Sequence, residues 1–596
     1  MKRNIIVGCS LLLLIGLFAS TPRYSAQDEN ASAGYVGGAG GGGMGEGAAA
    51  RDVVLSDLPQ VTTQAVSAHL THLRPLNGLT DEQYAALKAS AARGGTRGSG
   101  TAVPAGGSKS GIEAVGASVG FTAQQEVCCT PPDMALAVGS KYVVEFINTY
   151  IAVYDKVGNL QSGYPKDADT FFGLASGTYT TDPRAFYDWT NNRYVIVMLT
   201  ESSPFSGSSN VGGLLVAASA TSDPRGSWHV YSPAINIGSA GQCPDYPTLG
   251  HDSVNWGKHA TKGGFYVGIN LFSGTGNCQG AGFNTNYVFF FPKDAFYSGA
   301  GFGYWYFFGL FANGSTVDTL QPANVTNSSD KPDAIFLINS YNINFGGGVC
   351  SSGCNGLVVW TVSGPSATPN NPFAFLNGGS GPTLTGVTIG TTHNYSLPPN
   401  ADEPNGSGGV CSFCVDTNDT RISGQVKYAA GSLWGSLNTK DTVNSTNTAG
   451  PIWFEVRPII SNNNSTITSA YERQEDCFVC GGWSNNGSAW FATLQPDPEG
   501  NVVMVFDYST DVTYPSVVYT SRRVSYGDSL MNSVGIYLTV GSAFYGQGRW
   551  GDYTATSPDL ATTTKPAMWF AGQYANGSGN WGTAIGEAAY KVPTDQ

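Results

Sequence analysis

Tyr142-Val-Val-Glu-Phe-Ile-Asn148 is followed by Tyr150-Ile-Ala-Val-Tyr154, and Asp155-Lys-Val-Gly158 turns the chain after it. Such β-branched and aromatic runs, bounded by Gly, Asn, Asp and Pro, read as strands. The pattern continues through Arg193-Tyr-Val-Ile-Val-Met-Leu199, Leu214-Leu-Val-Ala-Ala218, Gly264-Phe-Tyr-Val-Gly-Ile269 and Tyr287-Val-Phe-Phe-Phe291. It resumes at Ala334–Ile338, Leu357–Trp360, Ile452–Val456, Val502–Phe506 and Met568–Ala571. No helical period of useful length competes, so the chain is expected to be all-β.

Composition agrees with this reading. Only 12% of the 596 residues are charged, while 79 are Gly and 12% are aromatic. Helical surfaces need more Lys, Glu and Arg than that. The net charge of −13 excludes a nucleic-acid partner, which is bound through surplus Lys and Arg. It also argues against adsorption to anionic membrane.

The N-terminus carries an address. Lys2 and Arg3 precede the apolar run Leu11–Ala19, and small residues follow, as in a secretory signal peptide. Export to the extracellular space or periplasm is expected, with no membrane insertion. Setting Cys9 aside from 11 cysteines leaves an even set, clustered as Cys128/Cys129, Cys243/Cys278, Cys350/Cys354, Cys411/Cys414 and Cys477/Cys480. In an oxidising compartment these read as short-loop disulfides, in preference to zinc half-sites.

Three segments are expected: a signal peptide over 1–26, a flexible Gly/Ala-rich leader or pro-segment over 27–112, and a propeller over 113–596. In the leader, Thr80-Asp-Glu-Gln83 is a capping box that predicts one short helix. Acidic signatures flanked by Pro or aromatics recur beyond it: Pro131-Pro-Asp133, Asp182-Pro-Arg184, Pro244-Asp-Tyr-Pro247, Lys331-Pro-Asp333, Asp419-Thr-Arg421, Arg473-Gln-Glu-Asp476 and Arg549-Trp-Gly-Asp-Tyr553. Their spacing suits blades of four strands, and their number suggests a single seven-bladed β-propeller. One charged residue per blade would then converge on a common funnel.

At these motifs the chain resembles secreted bacterial proteins with sialidase-like or BNR-type β-propellers. The resemblance rests on Pro131–Gly139, Asp182–Asp188 with Asn192 and Arg193, Pro244–Gly250, Tyr514–Tyr519, Arg549–Tyr553 and Trp581–Gly586. It spans roughly residues 113–590. The Ser-x-Asp-x-Gly-x-Thr-Trp repeat of true sialidases is missing. The resemblance implies an arginine cluster, a tyrosine nucleophile and an acid aspartate, met here by Arg184, Arg421, Arg473 and Arg549, Tyr246 or Tyr553, and Asp245 or Asp552. A glycosidase using two carboxylates would draw on Asp133, Asp182, Asp245, Asp333, Glu475 and Asp552. Against both stands a structural role, with aspartates accepting backbone N–H groups and arginines locking blades together.

The expected function is a secreted protein that binds or hydrolyses extracellular polysaccharide through the funnel. The alternatives are a non-catalytic module for a cell-surface or matrix component and a sialidase-like hydrolase, so catalysis is left open. No cofactor is required, although clustered carboxylates could hold Ca²⁺. A monomer is expected.

Overall fold

The computed structural model describes residues 36–61, 81–92, 119–126, 130–202, 212–237, 242–273, 282–327, 329–341, 350, 353–364, 373, 381–441, 447–461, 466–477, 487–524, 531, 535–561, 567–577 and 579–588. Within them the strands form successive four-stranded antiparallel groups. The first runs from Ala135–Val138 to Lys166–Asp167, the second from Thr178–Asp188 to Ser227–Ile237, and the third from Gln242–His251 to Phe302–Ala312. The fourth spans Gln321–Pro322 to Thr383–Tyr395, the fifth Lys427–Ala429 to Ile467–Cys477, and the sixth Ser488–Pro496 to Ile536–Thr539. The last begins at Ala555–Asp559 and ends at Trp581–Ala588. Its fourth strand comes from the other end of the chain, where Val119–Gln125 pairs with Trp581–Ala588.

The hydrophobic cores arrange these groups around an axis. In the strand Arg193–Ser202, Tyr194, Ile196 and Met198 pack toward the first group, while Val195, Val197 and Leu199 pack toward the third. Successive side chains leave a strand on opposite faces, so a strand held between two neighbours is apolar at every position. The same division recurs between the third and fourth groups, the fourth and fifth, the fifth and sixth, and the sixth and last. A further core joins the last group to the first, uniting Ile585 and Trp569 with Leu136 and Val143. The cycle of inter-group cores is closed, and the chain is an all-β propeller. The first strands lie innermost and pack against one another around the axis.

The leader expectation is corrected in part. Gly37–Gly45 reads by composition as a tether, yet Val36–Gly47 is a strand paired along Phe302–Ala312. The glycines are there because the partner strand lays its aromatic rings across them. A Cβ on Gly41 would come within 2.6 Å of the Phe308 ring, and one on Gly43 within 2.9 Å of the Tyr306 hydroxyl. Arg51–Val54 then pairs with the outer strand of the second group, and Leu55 is buried in the first core. Residues 36–61 therefore run along outer edges of the propeller and cover strands that would otherwise present unpaired backbone.

The predicted short helix is present at Asp81–Ala92. Cys350–Cys354 and Cys411–Cys414 are disulfides, and Cys243 is disulfide-bonded too. Cys128, Cys129, Cys278 and Cys480 lie outside the described residues, as does the signal segment.

Candidate functional site: the propeller axis and its two ends

Six of the seven inner strands contain or follow a kink. Asp133, Asp182, Tyr246, Thr319, Asn418 and Phe491 have φ of 42°, 55°, 54°, 46°, 57° and 55°. A left-handed conformation costs a residue with a Cβ about 1–2 kcal/mol, and the kinks are offset by capture of the N–H. Asn148 Oδ1 accepts from Asp182 N at 2.7 Å, Asn270 Oδ1 from Thr319 N at 2.8 Å, and Asn438 Oδ1 from Phe491 N at 3.0 Å. Asp182 Oδ2 accepts from Tyr246 N at 3.0 Å. Asp133 accepts twice, from Asn148 Nδ2 at 2.9 Å and from Asp552 N at 2.7 Å.

These kinks bring many of the sequence candidates together. The Arg184 guanidinium lies 3.3 Å from the Tyr553 ring centroid and 5.5 Å from that of Tyr246, and Arg421 sits 4.5 Å from the same Tyr246. Arg421 pairs with Asp419 through two contacts of 2.7 and 2.8 Å, and Arg549 pairs with Asp552 through contacts of 2.7 and 2.8 Å. The tyrosine hydroxyls reach across the ring, from Tyr246 to Asp552 O and from Tyr553 to Pro183 O, each at 3.1 Å. Asp245 is half-buried and adds its charge to that felt by Asp182.

Asp333, Glu475 and Arg473 are placed elsewhere. Asp333 is exposed before the strand Ile335–Tyr341. Glu475 lies on the outer strand of the fifth group, where it accepts from His393 N, and Arg473 on that strand pairs with Glu455 at 2.8 Å.

The axis itself is crossed by side chains. Arg184 in the second group donates to Ser423 O at 3.2 Å, and Gln425 returns the link to Ala185 O at 3.2 Å. Gln321 donates to Ile422 O, and Lys427 to Thr556 O. Burial here moves the carboxylic acids upward. Asp133 rises to about 7, with the neighbouring Asp552 charge adding to the effect, and Asp182 is raised well above the usual carboxylate range. Burial pushes Asp419 upward as well, but the Arg421 guanidinium outweighs it and holds that carboxyl below its ordinary value. A carboxyl holding its proton near neutrality has the right acidity for general-acid work.

The helix Asp81–Ala92 covers the end of the axis where the kinks lie. Lys88 is 4% exposed and donates to Thr417 Oγ1 at 2.8 Å and Asn418 O at 2.6 Å, with Asp416 at 3.7 Å. Between helix and propeller is a cavity of about 500 Å³ bordered by Tyr84, Lys88, Asn400, Phe413 and Asp416. Burial lowers the Lys88 amine to about 8.

At the opposite end, where the inner strands finish, a narrow depression opens. Its wall includes Phe186, Asp188, Trp189, His251, Asn324, Gln425, Lys427 and Thr556. Buried Asp188 accepts from Lys293 Nζ at 2.6 Å and from Tyr297 OH at 2.7 Å. Although burial alone would raise Asp188, Lys293 holds it well below the carboxylate range. His251 stacks on Phe186 at 3.8 Å, and its Nδ1 lies 3.3 Å from Lys293 Nζ. An ammonium only donates, so Nδ1 accepts and Nε2 carries the proton. Burial, reinforced by Lys293, pushes this imidazole well below its ordinary pKa and keeps it neutral.

Lys427, His251 and Lys293 are not singled out from sequence, and Asp188 enters only as the end of the Asp182–Asp188 stretch. Scattered His and Lys carry no spacing signal when the fold, rather than a motif, unites them. For Ca²⁺, no group of three or more His, Cys, Asp or Glu is arranged to hold a metal among the described residues. Both oxygens of Asp133 are already accepting from N–H groups.

The fold and its axis thus define a β-propeller whose centre is filled by a polar and aromatic network, with one end under a helix and the other open. No protein-family model and no curated protein matches the chain. Solved structures similar to it include a protein of unknown function from Dyadobacter fermentans, 10% identical with a TM-score of 0.31, covering 70% of this chain and 96% of that one. An ulvan lyase, a polysaccharide lyase, is 10% identical with a TM-score of 0.31 over 80% of this chain and 96% of its own. An exo-1,5-α-L-arabinanase from a bovine ruminal metagenomic library is 8% identical with a TM-score of 0.27 over 68% and 95%.

Proposed function

We propose that the chain is a secreted, glycan-directed protein, and that its seven four-stranded groups are the blades of a seven-bladed propeller. Saccharide is bound at the open end of the axis. The observation that carries this reading is the depression itself, where amides (Asn324, Gln425), a hydroxyl (Thr556) and an aromatic ring (Trp189) from different blades line one concave surface. Sugars are recognised by this combination, with amides and hydroxyls for their OH groups and a ring for their C–H face. Disulfides at Cys350–Cys354 and Cys411–Cys414 fit an exported protein. No helix among the described residues is long and apolar enough to cross a membrane.

Binding without cleavage is the favoured mode, because the ring carboxylates Asp133, Asp182 and Asp552 are engaged as acceptors or ion-pair partners. Hydrolysis is the second reading. That reading needs the saccharide at the kinked end of the axis instead, where the Asp133 carboxyl, raised to about 7, lies beside the ion-paired Asp552. A screen of the purified protein on polysaccharide arrays with reducing-end detection separates the two. Retention without new reducing ends supports binding, new reducing ends support hydrolysis, and the absence of both defeats the proposal.

A further inference from the structure

We propose that the open end of the axis selects acidic saccharides, with Lys427 receiving an anionic oxygen carried by the sugar. This inference rests on the glycan reading above and names the class of sugar bound there.

Lys427 opens the fifth group, forms part of the wall of the depression and is only 2% exposed. Its ammonium has three N–H donors. The protein supplies Gln425 Oε1 at 3.2 Å and Thr556 O at 3.3 Å, both neutral. Among the described residues no carboxylate lies within ion-pair distance of it. Of the two carboxylates in the wall, Asp188 is claimed by Lys293 and Tyr297, and Asp330 accepts from Ala430 N at 3.2 Å.

Arg184 adds a like charge to the surroundings of Lys427, and burial with that charge lowers the amine to about 7. A buried cation without a counter-charge is costly, and proteins ordinarily pair it or let it lose its proton. Lys293, behind the wall and bonded to Asp188, shows the paired solution. Lys427 has a donor to spare and a depression beside it, so an anion from outside completes its shell. His251, with Nε2 protonated, supplies a neutral donor for the rest of the sugar, while the amide N–H groups of Asn324 and Gln425 are given to backbone carbonyls.

Carboxylate and sulfate share the required chemistry, an anionic oxygen on a saccharide, and the assay distinguishes them. The intact protein is titrated calorimetrically with a uronic-acid oligosaccharide, a sulfated oligosaccharide and a neutral oligosaccharide of equal length. At least one acidic ligand is expected to bind ten-fold or more tightly than the neutral one. Lys427→Met should abolish that preference and leave neutral binding in place, whereas Lys427→Arg should restore it. Unaltered thermal melting of both variants verifies folding; if Lys427→Met does not fold, the Lys427→Arg and wild-type titrations still test the preference. Equal affinity for acidic and neutral sugars, or an acidic preference surviving in Lys427→Met, overturns the inference while glycan binding stands. Failure of all three sugars to bind overturns both.

Discussion

The backbone N–H of Asp552 donates to Oδ1 of Asp133 at 2.7 Å, joining positions 419 residues apart in the chain. The other oxygen of the same carboxylate accepts from Asn148 at 2.9 Å. One buried side chain therefore fastens the last group of strands to the first and organises its own. Asp133→Ala would strand two buried donors and should cost about 2–4 kcal/mol. A lower denaturant midpoint with an unchanged m-value tests this, and a shift of less than 0.5 kcal/mol (~one third of a tenfold change in the folding constant) would remove Asp133 from the closure.

Tyr246 makes a more modest contribution. Its hydroxyl donates to Asp552 O at 3.1 Å while its ring lies under Arg421 and Arg184. Tyr246→Phe keeps the ring and deletes the hydrogen bond, so a loss of about 1 kcal/mol is expected. Tyr246→Leu should cost distinctly more, because the cation–π contacts go with the ring. Equal losses in the two variants would mean that the guanidinium stacking contributes nothing.

Glu145 offers a pH test. It is fully buried, and burial raises its carboxyl from the ordinary 4.5 to about 7. The folded form keeps a proton that the unfolded chain releases between those two values. Its contribution to stability is thus full below about pH 4.5 and lost as pH rises through 7, on the order of 3 kcal/mol across the window. Glu145→Gln should flatten this part of the stability profile, melting close to wild type at pH 5 and above it at pH 8. Parallel profiles for the two proteins would show that Glu145 does not titrate in this range.

The glycine strand is tested by adding a side chain. Gly43→Val places a Cβ against Tyr306, where 2.9 Å to the hydroxyl leaves no room. Residues 36–47 should detach and become cleavable by a nonspecific protease, with the strands of the third group still protected. Protection equal to wild type would contradict the close packing of glycine on ring.

Lys88 ties the helix to the end of the axis through Thr417 and Asn418. Lys88→Met should raise amide exchange across residues 81–92 at least ten-fold and leave the inner strands unchanged. An unaltered exchange rate would assign the docking of the helix to its apolar contacts alone.

Much of the architecture is written in local sequence. Runs such as Tyr194–Leu199 are uniformly apolar because both faces are buried between blades, and that pattern survives without tertiary knowledge. The ring was partly legible. Pro131-Pro-Asp133, Asp182-Pro-Arg184, Pro244–Pro247, Asp419-Thr-Arg421 and Arg549–Tyr553 all reach the axis, whereas Arg473–Asp476 does not, and of Lys331-Pro-Asp333 only Lys331 borders the depression at its far end. What repeats physically is a left-handed backbone step, with its N–H commonly captured by a polar side chain. Phe491 takes that step as Asp133 does with no acidic residue beside it, and Thr319 follows a buried Asp318 that no neighbouring Pro or aromatic marks out. The edge strand 36–47 was hidden because its fit depends on aromatic rings some 260 positions further along the chain. Lys427 and His251 share a wall only after the sheets are in place.

The pairing of Val119–Gln125 with Trp581–Ala588 sets an order of events during biogenesis. During synthesis the earlier strand must wait, its ladder partner still unmade, until the chain has been made as far as Trp581–Ala588. The final sheet is therefore completed late. A chain stopped before residue 581 would leave one strand of its last sheet without a neighbour, a natural handle for quality-control proteases and a route to self-association.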